Sequence, residues 1–535
     1  MMLNIEEQLQ LLDEKIAQTK ENLRNLHFQR NSLLPICRLP NEILGLILTF
    51  CASDVRRHRT HCSQMSWLWP THVCQHWRTI ALGCPAMWDT PDFSKPSLAR
   101  ETLVRSKSAP LYIRAATRGY RTDQQEVLSD ALRDIARVAA IEIDTSLPLI
   151  LNVLLGVVQP APVLETLRIH NERVTASFVL PDNFLAGNAP RLREMSLRNC
   201  VLHWGHMSKT LSGLRSLCLR GGKSNRISDL KAFLQAMQTM QLLQTLDIFD
   251  IFPDGDSIAL DTVTLSKLER VMVFGSVNGC ISLLNCIASP FATSIGFTVM
   301  VSQPGDCNKA LTILPHLTSI TQSYTESCSI YAMEGQFEIE MFDQDLLHRG
   351  KSRFRFDLVK RSADSVPASQ FYDLFKRLLE LLSSLRVTGI HLILGDEFSV
   401  EDVTRYFGSL KELATISVED HCAYAFIQAF YSSTFTHPSD DIPFSSLKTI
   451  VLECMDFGRS LDAGAGSAGV RFINALRHRS EQGKAIHCVS VKHCSNFDIE
   501  QYDELKEVVG EAYWDGREFT DDEDDEELEI GYDGD

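Results

Sequence analysis

The sequence predicts an α/β repeat fold that follows a helical coiled coil and a small all-α unit. Three observations carry this prediction. Apolar residues follow a heptad pattern through the first 34 residues, four of the six tryptophans fall in one short span, and an apolar-x-x-apolar-x-apolar unit recurs from about Val138 onward. Because so short a unit cannot bury its apolar face alone, successive units are expected to stack on one another.

Length and composition narrow the class of protein. The 535 residues, with 44% hydrophobic and 23% charged, are ordinary for a globular chain of two to four domains. No apolar stretch approaches the roughly 18 residues of a membrane span, and Glu6 and Glu7 occupy the place where a secretory signal is basic and then apolar. An intracellular protein, cytoplasmic or nuclear, is therefore expected.

The cysteines are expected to be reduced. Their odd count of 15 and their scattered positions favour free thiols, with Cys218 and Cys488 predicted as buried core residues.

The net charge of −17 is concentrated at one end. Thr520 to Asp535 holds ten acidic residues and no basic one, so −17 less −10 leaves −7 for the rest of the chain. Residues 516–535 are predicted to form a disordered acidic tail, because like charges repel and few apolar residues are present to be buried. The sequence contains no lysine- or arginine-rich stripe, so neither a nucleic acid nor a membrane is expected as a partner.

Residues 1–34 predict one long helix. Apolar residues recur at steps of four and three, interrupted at Thr19 and Arg30; they are Ile5, Leu9, Leu12, Ile16, Leu23, Leu26 and Leu33. This spacing predicts a narrow apolar seam over about four heptads. Two interpretations stay open: a helix packed on its own chain, or a coiled coil through which residues 5–33 associate with a second copy. Pro35 is expected to end the helix.

Residues 35–93 predict a small helical domain. Pro40 suits a first helical turn, and Glu42 complements its positive end. Apolar residues predicted to share one face of this helix are Ile43, Leu44, Ile47 and Leu48. A polar loop is expected from Ser53 to Gln64, and a second helix through Val73, Trp77, Ile80 and Ala81.

The segments LPNEILGLIL and VCQHWRTIALGCPAMWDTPDF resemble the F-box of fungal F-box-like proteins. They match, in order, an L-P-x-E-I-L opening, a V-C-x-x-W-R-x-I-A helix and a P-x-x-W ending, while Trp67 to Pro70 depart from the usual leucine-rich lead. The resemblance implies docking on the Skp adaptor and, through it, on a cullin ligase. The docking residues it implies are Leu39, Pro40, Ile43, Leu44, Ile47, Val73, Trp77, Ile80 and Ala81.

From residue 94 to 515 the repeating unit predicts an irregular leucine-rich-repeat solenoid. Early units begin at Val138, Leu164, Leu192, Leu214, Leu243 and Leu268, and later ones at Val387, Leu413, Leu447 and Ile486. The early spacings of 26, 28, 22, 29 and 25 residues fall within the roughly 20 to 29 of leucine-rich repeats. Each unit is expected to supply a short strand, often with a trailing Cys or Asn. An ordinary α/β domain with parallel strands is the alternative.

Two stretches between the strands predict specific elements. Ser228 to Met240 has helical spacing, with Ser228 as its N-cap. Between about Cys280 and Leu382 the period weakens, and FEIEMF and RFRFDLV predict a strand hairpin followed by a helix from Ser369 to Leu385. This stretch is interpreted as diverged repeats with an insertion.

Motifs for cofactors and catalysis are weak. Gly464-x-Gly466-x-x-Gly469 lies about a dozen residues after the nearest predicted strand, so a loop is favoured over a dinucleotide site. Cysteines and histidines between Cys51 and His76 suggest zinc, but Cys74 falls within the helical motif as a core residue, and no metal is expected. No catalytic motif is present in the sequence, and the chain is expected to be neither an enzyme nor a cofactor binder.

The sequence thus predicts a non-catalytic adaptor. Its F-box-like domain is expected to bind the Skp subunit of a cullin-type ubiquitin ligase, and its repeats an unidentified target protein. The alternative is a leucine-rich-repeat interaction scaffold that works independently of ubiquitin ligation.

Overall fold

The structure is a computed structural model that describes residues 5–57, 66–117, 122–173, 177–221, 230–252, 262–288, 294–313, 327–333, 335–343, 352–362, 366–382, 386–436, 442–461 and 466–517. The chain forms two compact units, Met1–Cys218 with Gln235–Leu242, and Leu219–Leu234 with Leu243–Asp535. The fold is mixed α/β and its strands are mostly parallel. None of the described helices is long and apolar enough to cross a bilayer.

The first unit begins with helices. These are α1 (Ile5–Ser32), α2 (Asn41–Arg57), α3 (Gln75–Gly83) and α4 (Pro96–Arg105), with 3-10 turns at Pro35–Arg38, Ser66–His72 and Pro85–Trp88. The helix predicted from the heptads is confirmed, and it ends three residues before Pro35. The loop predicted from Ser53 is wrong for its first residues, because α2 continues to Arg57 and packs Ala52 into the core.

Strands and short helices then alternate. The elements are β1 (Leu111–Thr117), α5 (Thr122–Arg133), β2 (Val138–Thr145), α6 (Pro148–Val153), β3 (Thr166–Asn171), β4 (Phe178–Val179), β5 (Glu194–Arg198), β6 (Cys200–Val201), α7 (Ser208–Leu211) and β7 (Ser216–Arg220). Strands β1, β2, β3 and β5 pair in parallel in that order, and β4 pairs with β6 in a separate two-stranded sheet.

The second unit continues the alternation. Its elements up to the hairpin are β8 (Thr245–Phe249), β9 (Val263–Thr264), β10 (Arg270–Ser276), α9 (Val277–Cys286), β11 (Ile287–Ala288), β12 (Ser294–Val301), α10 (Pro304–Ala310), β13 (Ser327–Met333), β14 (Gln336–Phe342) and β15 (Ser352–Lys360). Helix α8 (Leu230–Gln238) precedes them, and Ser228, its predicted N-cap, lies outside the described residues.

The remaining elements close the second unit. They are α11 (Ala368–Leu382), β16 (Gly389–Leu394), α12 (Val400–Tyr406), β17 (Thr415–Glu419), α13 (His421–Thr436), β18 (Thr449–Glu453), α14 (Ala468–Glu481), β19 (Cys488–Lys492), α15 (Ile499–Val508) and β20 (Glu511–Trp514). Strand order is β8-β10-β12-β15-β14-β13-β16-β17-β18-β19-β20. The predicted tail lies almost wholly in residues 518–535, outside the described part.

The predicted repeat units coincide with the parallel strands. Ile390, Ile416, Ile450 and Val489 occupy one row of aligned positions across β16 to β19, and all four are fully buried. Ile141, Leu167 and Met195 form the corresponding row in the first unit. Each buried side chain contributes about 1.5–3 kcal/mol by leaving water. The strand predictions are therefore confirmed, whereas the solenoid class stays a prediction.

The backbone repeats as well as the side chains. The residue after four of these strands adopts the left-handed conformation, with φ of 49° at Asn199, 58° at Asp420, 53° at Cys454 and 49° at His493. This conformation is uncommon outside glycine, although Asn, Asp and His are enriched in it. The left-handed residue occurs at the same point of each of these repeat units. These repeat units therefore share the turn by which the chain leaves the sheet.

The predicted trailing cysteines are buried and donate hydrogen bonds. The Cys494 thiol lies 3.2 Å from the Lys492 carbonyl oxygen and 3.7 Å from that of Leu452 on the neighbouring strand. Cys200 contacts the Arg198 carbonyl oxygen at 3.2 Å in the same way. Burial raises the pKa of both thiols to about 12. Each thiol thus donates to a backbone carbonyl at the end of its strand, and the Lys492 carbonyl oxygen also accepts from the Cys454 N–H at 3.1 Å.

Two other cysteine predictions are wrong. Cys218 and Cys488 are half-buried, because they alternate along β7 and β19 with the inward residues and so point to the other face of the sheet. The described cysteines are all free thiols.

The hairpin predicted in the irregular stretch is confirmed. Strands β14 and β15 pair in antiparallel fashion, with Ile339 opposite Phe356. Strand β13 joins the other side of β14, so that β15 rather than β13 lies beside β12. Helix α11 follows over Ala368–Leu382, and the last three residues of its predicted range lie outside the described residues.

Candidate protein-binding surface

The helices of residues 35–93 pack around a core of their own. This core consists of Leu44, Leu48, Ala52, Trp67, Ala81, Met87 and Trp88, against which Trp77 and Ile80 are partly buried. The rings of Trp67 and Trp88 meet edge to face with centroids 5.4 Å apart. The tryptophan-rich span therefore serves to hold a small domain together, as its composition predicts.

Helix α2 is apolar on two adjacent faces. Leu44, Leu48 and Ala52 point into the core, whereas Ile43, Leu46 and Phe50 lie 44%, 56% and 68% exposed. Ile47 lies between the two faces and is half-buried. At about 100° of rotation per residue, the outer residues form a single stripe. The name α2 stripe is used below for Ile43, Leu46, Ile47 and Phe50.

This geometry corrects the predicted single face of α2. Leu44 and Ala81 are fully buried in the domain core, so their side chains stabilise the domain and cannot reach a partner in this conformation. Trp77 and Ile80 also pack mainly on that core. The indole N–H of Trp77 has no acceptor within the described part of the chain.

The other predicted docking residues reach the surface. Pro40, Ile43 and Val73 are exposed, while Leu39 and Ile47 are half-buried. Val73 precedes α3, which begins at Gln75, and therefore lies in a turn and not on the predicted helix. The structure thus brings Ile43 and Ile47 together on one helix face.

Sequence reasoning missed Leu46, Phe50 and Trp69. Leu46 and Phe50 follow Ile43 at helical spacings of three and seven, which is the signal that predicts a shared face. Trp69, in the 3-10 turn before α3, is also exposed. For Trp69 no periodic signal exists, because residues in an irregular turn do not follow helical spacing.

Helix α1 and the start of α3 enclose an open cleft of about 820 Å³. Val73 to His76 line one side, and residues of α1 from Glu21 to Ser32 line the other. The cleft is mixed in character, because Phe28 and Val73 are apolar whereas Arg24 and Arg78 are charged. It is less apolar than the α2 stripe.

The zinc and nucleotide motifs bring no site together. The described residues contain no group of three or more metal-ligating side chains, and His58, His61 and Cys62 lie outside them. Gly464 also lies outside the described residues. Gly469 opens α14, where an added Cβ would lie 2.9 Å from the Phe457 ring, so close packing explains this glycine.

No protein-family model and no curated protein matches this chain.

Proposed function

We propose that this chain is a non-catalytic substrate-recognition adaptor of a cullin-type ubiquitin ligase. Its helical domain, residues 35–93, docks on the Skp subunit, and its repeats bind a target protein. The α2 stripe is the observation that carries the proposal. An apolar helix face exposed on a small domain that already has a complete core of its own is typical of a protein-binding site.

The position of the stripe agrees with the motif. Ile43 and Ile47 belong to the L-P-x-E-I-L opening and its continuation, for which the F-box resemblance implies Skp contacts. Leu46 and Phe50 extend the same face outward. The adaptor itself performs no bond chemistry. It acts by holding a target and a conjugating enzyme in one assembly, which raises their effective concentration.

The strands of the second unit offer a surface for the target. Phe249 and Phe274 stack across β8 and β10 with ring centroids 6.1 Å apart, and the Arg220 guanidinium lies 4.2 Å from the centre of the Phe249 ring. Both phenylalanines are half-buried and alternate with the inward residues Ile248 and Val273. Aromatic and arginine side chains dominate the energetics of many protein interfaces.

The proposal is tested with purified full-length chain and recombinant Skp adaptor in isothermal titration calorimetry. Ile43→Asp with Phe50→Asp is expected to weaken binding at least about 30-fold, since loss of a hot spot costs roughly 2 kcal/mol or more. Leu39→Ala with Pro40→Ala is expected to weaken it in the same sense. Val104→Asp, at an exposed apolar position on α4, provides the control and should leave binding unchanged.

Two results would overturn the proposal. The wild-type chain could fail to bind the Skp adaptor at all, which would favour the interaction scaffold without a ligase. Alternatively, the variant with Ile43→Asp and Phe50→Asp could bind the Skp adaptor as tightly as the wild type, which would place the docking site elsewhere.

A further inference from the structure

Helix α1 exposes its entire heptad seam. None of its side chains, all of which belong to the described residues, is buried. The apolar seam residues Ile5, Leu9, Leu12, Ile16, Leu23 and Leu26 are between 49% and 73% exposed. The interpretation that the helix packs on its own chain is therefore wrong. Most of the stability of a helix comes from packing its apolar face. We therefore expect a seam of this length to be buried against a partner.

The seam points away from the helical domain. Residues of α1 that line the cleft beside α3 include Glu21, Arg24, Phe28 and Asn31, which lie on the side of the helix opposite the seam. Of the seam positions only Arg30 reaches the cleft. The seam is thus open along its length to a second helix.

Charge divides α1 into two halves of opposite sign. Residues 5–14 carry four acidic side chains and no basic one: Glu6, Glu7, Asp13 and Glu14. Residues 15–32 carry Lys15, Lys20, Arg24 and Arg30 against the single acid Glu21. A second copy of this helix is therefore complementary in charge when it runs in the opposite direction, and repulsive when it runs in the same direction.

The seam residues distinguish the two directions in detail. In a parallel pair, Arg30 would face Arg30 of the second copy in the core, and Lys15 would face Lys20 across the flank. In an antiparallel pair, Leu9 packs on Leu26 and Leu12 on Leu23 of the second copy. Arg30 then falls at the end of the pair, where its charge stays in water.

The same antiparallel alignment also gives the polar seam residue Thr19 and the charged flanking residues favourable neighbours. Thr19 meets Ile16 of the second copy, so no two polar seam residues face each other. Asp13 lies beside Lys20 at the flank, and two-fold symmetry makes that pair occur twice. The antiparallel pair therefore contains no like-charge contact among these positions.

We propose that α1 forms an antiparallel two-stranded coiled coil with α1 of a second copy of this chain. The proposal does not depend on Skp binding, because the α2 stripe and the α1 seam are separate surfaces. A homodimer of this kind presents two helical domains and two repeat domains in one assembly.

The first test is the oligomeric state of the full-length chain, measured by sedimentation velocity over a range of micromolar concentrations. The wild-type chain is expected to be a dimer, and Leu12→Asp to raise the dissociation constant at least about 100-fold. Leu11→Asp introduces the same charge one position away from the seam and should leave the dimer intact. A wild-type monomer, a wild-type trimer, or equal effects of the two substitutions would overturn the proposal.

The second test determines the direction by disulfide cross-linking, in a chain whose exposed Cys51 and Cys454 are both replaced by Ser. Leu9→Cys together with Leu26→Cys is expected to give a covalent dimer on mild oxidation. Leu9→Cys alone should not, because in an antiparallel pair the two copies of position 9 lie at opposite ends. Efficient cross-linking by Leu9→Cys alone would show a parallel pair and overturn the antiparallel assignment.

Discussion

The indole Nε1 of Trp88 donates a hydrogen bond of 2.8 Å to the carbonyl oxygen of Ala81. Both residues are buried, so this bond joins the end of the last 3-10 turn to the last turn of α3. It holds the Pro85–Trp88 turn against the end of α3. The α2 stripe depends on the core of this domain for its support.

Replacing Trp88 by Phe is expected to destabilise the helical domain by about 1–3 kcal/mol, because a buried hydrogen bond and part of the ring contact with Trp67 are lost. Hydrogen exchange of peptides covering α2 and α3 measures the change as faster opening. Trp69→Phe removes an exposed indole and is the matched control, with no expected change. Equal protection in both variants would contradict the role assigned to Trp88.

Arg479 links α13, α14 and the loop before β18. Its guanidinium donates to the Thr434 hydroxyl at 2.9 Å, the Phe444 carbonyl oxygen at 3.0 Å and the Pro443 carbonyl oxygen at 2.6 Å. Desolvation by burial lowers its pKa to about 10, and the charge also lies 4.1 Å from the Phe430 ring centre.

Arg479→Met is expected to cost about 3–5 kcal/mol, since several buried acceptors lose their donor together. Arg479→Lys should cost nearly as much, because an ammonium cannot reproduce the fork of donors. Hydrogen exchange of the peptides around α13 and α14 provides the measurement. Arg477→Met, on the exposed side of the same helix, should be neutral, and a comparable loss there would contradict the prediction.

Cys422, a buried thiol in the first turn of α13, predicts a pH dependence of stability. Burial raises the pKa of Cys422 to about 11, and the protonated thiol donates to the Glu419 and Leu392 carbonyl oxygens at 2.9 and 3.1 Å. The unfolded thiol ionises near its ordinary value of 9.0, so the folded state binds the proton more tightly between these values. This contribution to stability is complete below pH about 9 and is lost as the pH rises through about 11.

Replacing Cys422 by Ser removes this titration while keeping a hydroxyl donor. The free energy of unfolding of the second unit, followed by hydrogen exchange at pH 8 and pH 10.5, should fall less steeply in the variant than in the wild type. Cys51→Ser, at an exposed position, should leave the slope unchanged. A variant slope equal to that of the wild type would show that Cys422 does not contribute to the dependence.

The proposed coiled coil predicts an effect of charge reversal. Asp13→Lys places two lysines beside each other in each half of the antiparallel pair, and is expected to weaken the dimer about fivefold at low salt. Adding Lys20→Asp to the same chain should restore it. Sedimentation velocity checks both effects, and Glu14→Lys, off the seam and its flanks, is the control of equal charge. If Glu14→Lys weakened the dimer to the same degree, the effect would come from net charge and not from the Asp13–Lys20 pair.

The sequence by itself determined the elements whose signal is local. The apolar triads placed β16 to β19 and the corresponding strands of the first unit, because burial on one face of a strand imposes a period of two on neighbouring residues. The heptads likewise predicted α1, and the alternating FEIEMF and RFRFDLV segments predicted the β14–β15 hairpin. In each case the information lies within a few residues of chain.

Only the tertiary structure decided what depends on distant contacts. It separated Leu44 from Ile43 into core and surface, because the position of Trp67 and Trp88 determines which side of α2 is covered. It placed β15, and not β13, beside β12. It also turned Cys218 and Cys488 away from the core. Such outcomes depend on which elements pack together. The apolar periodicity of a single helix or strand does not specify which other elements pack against it.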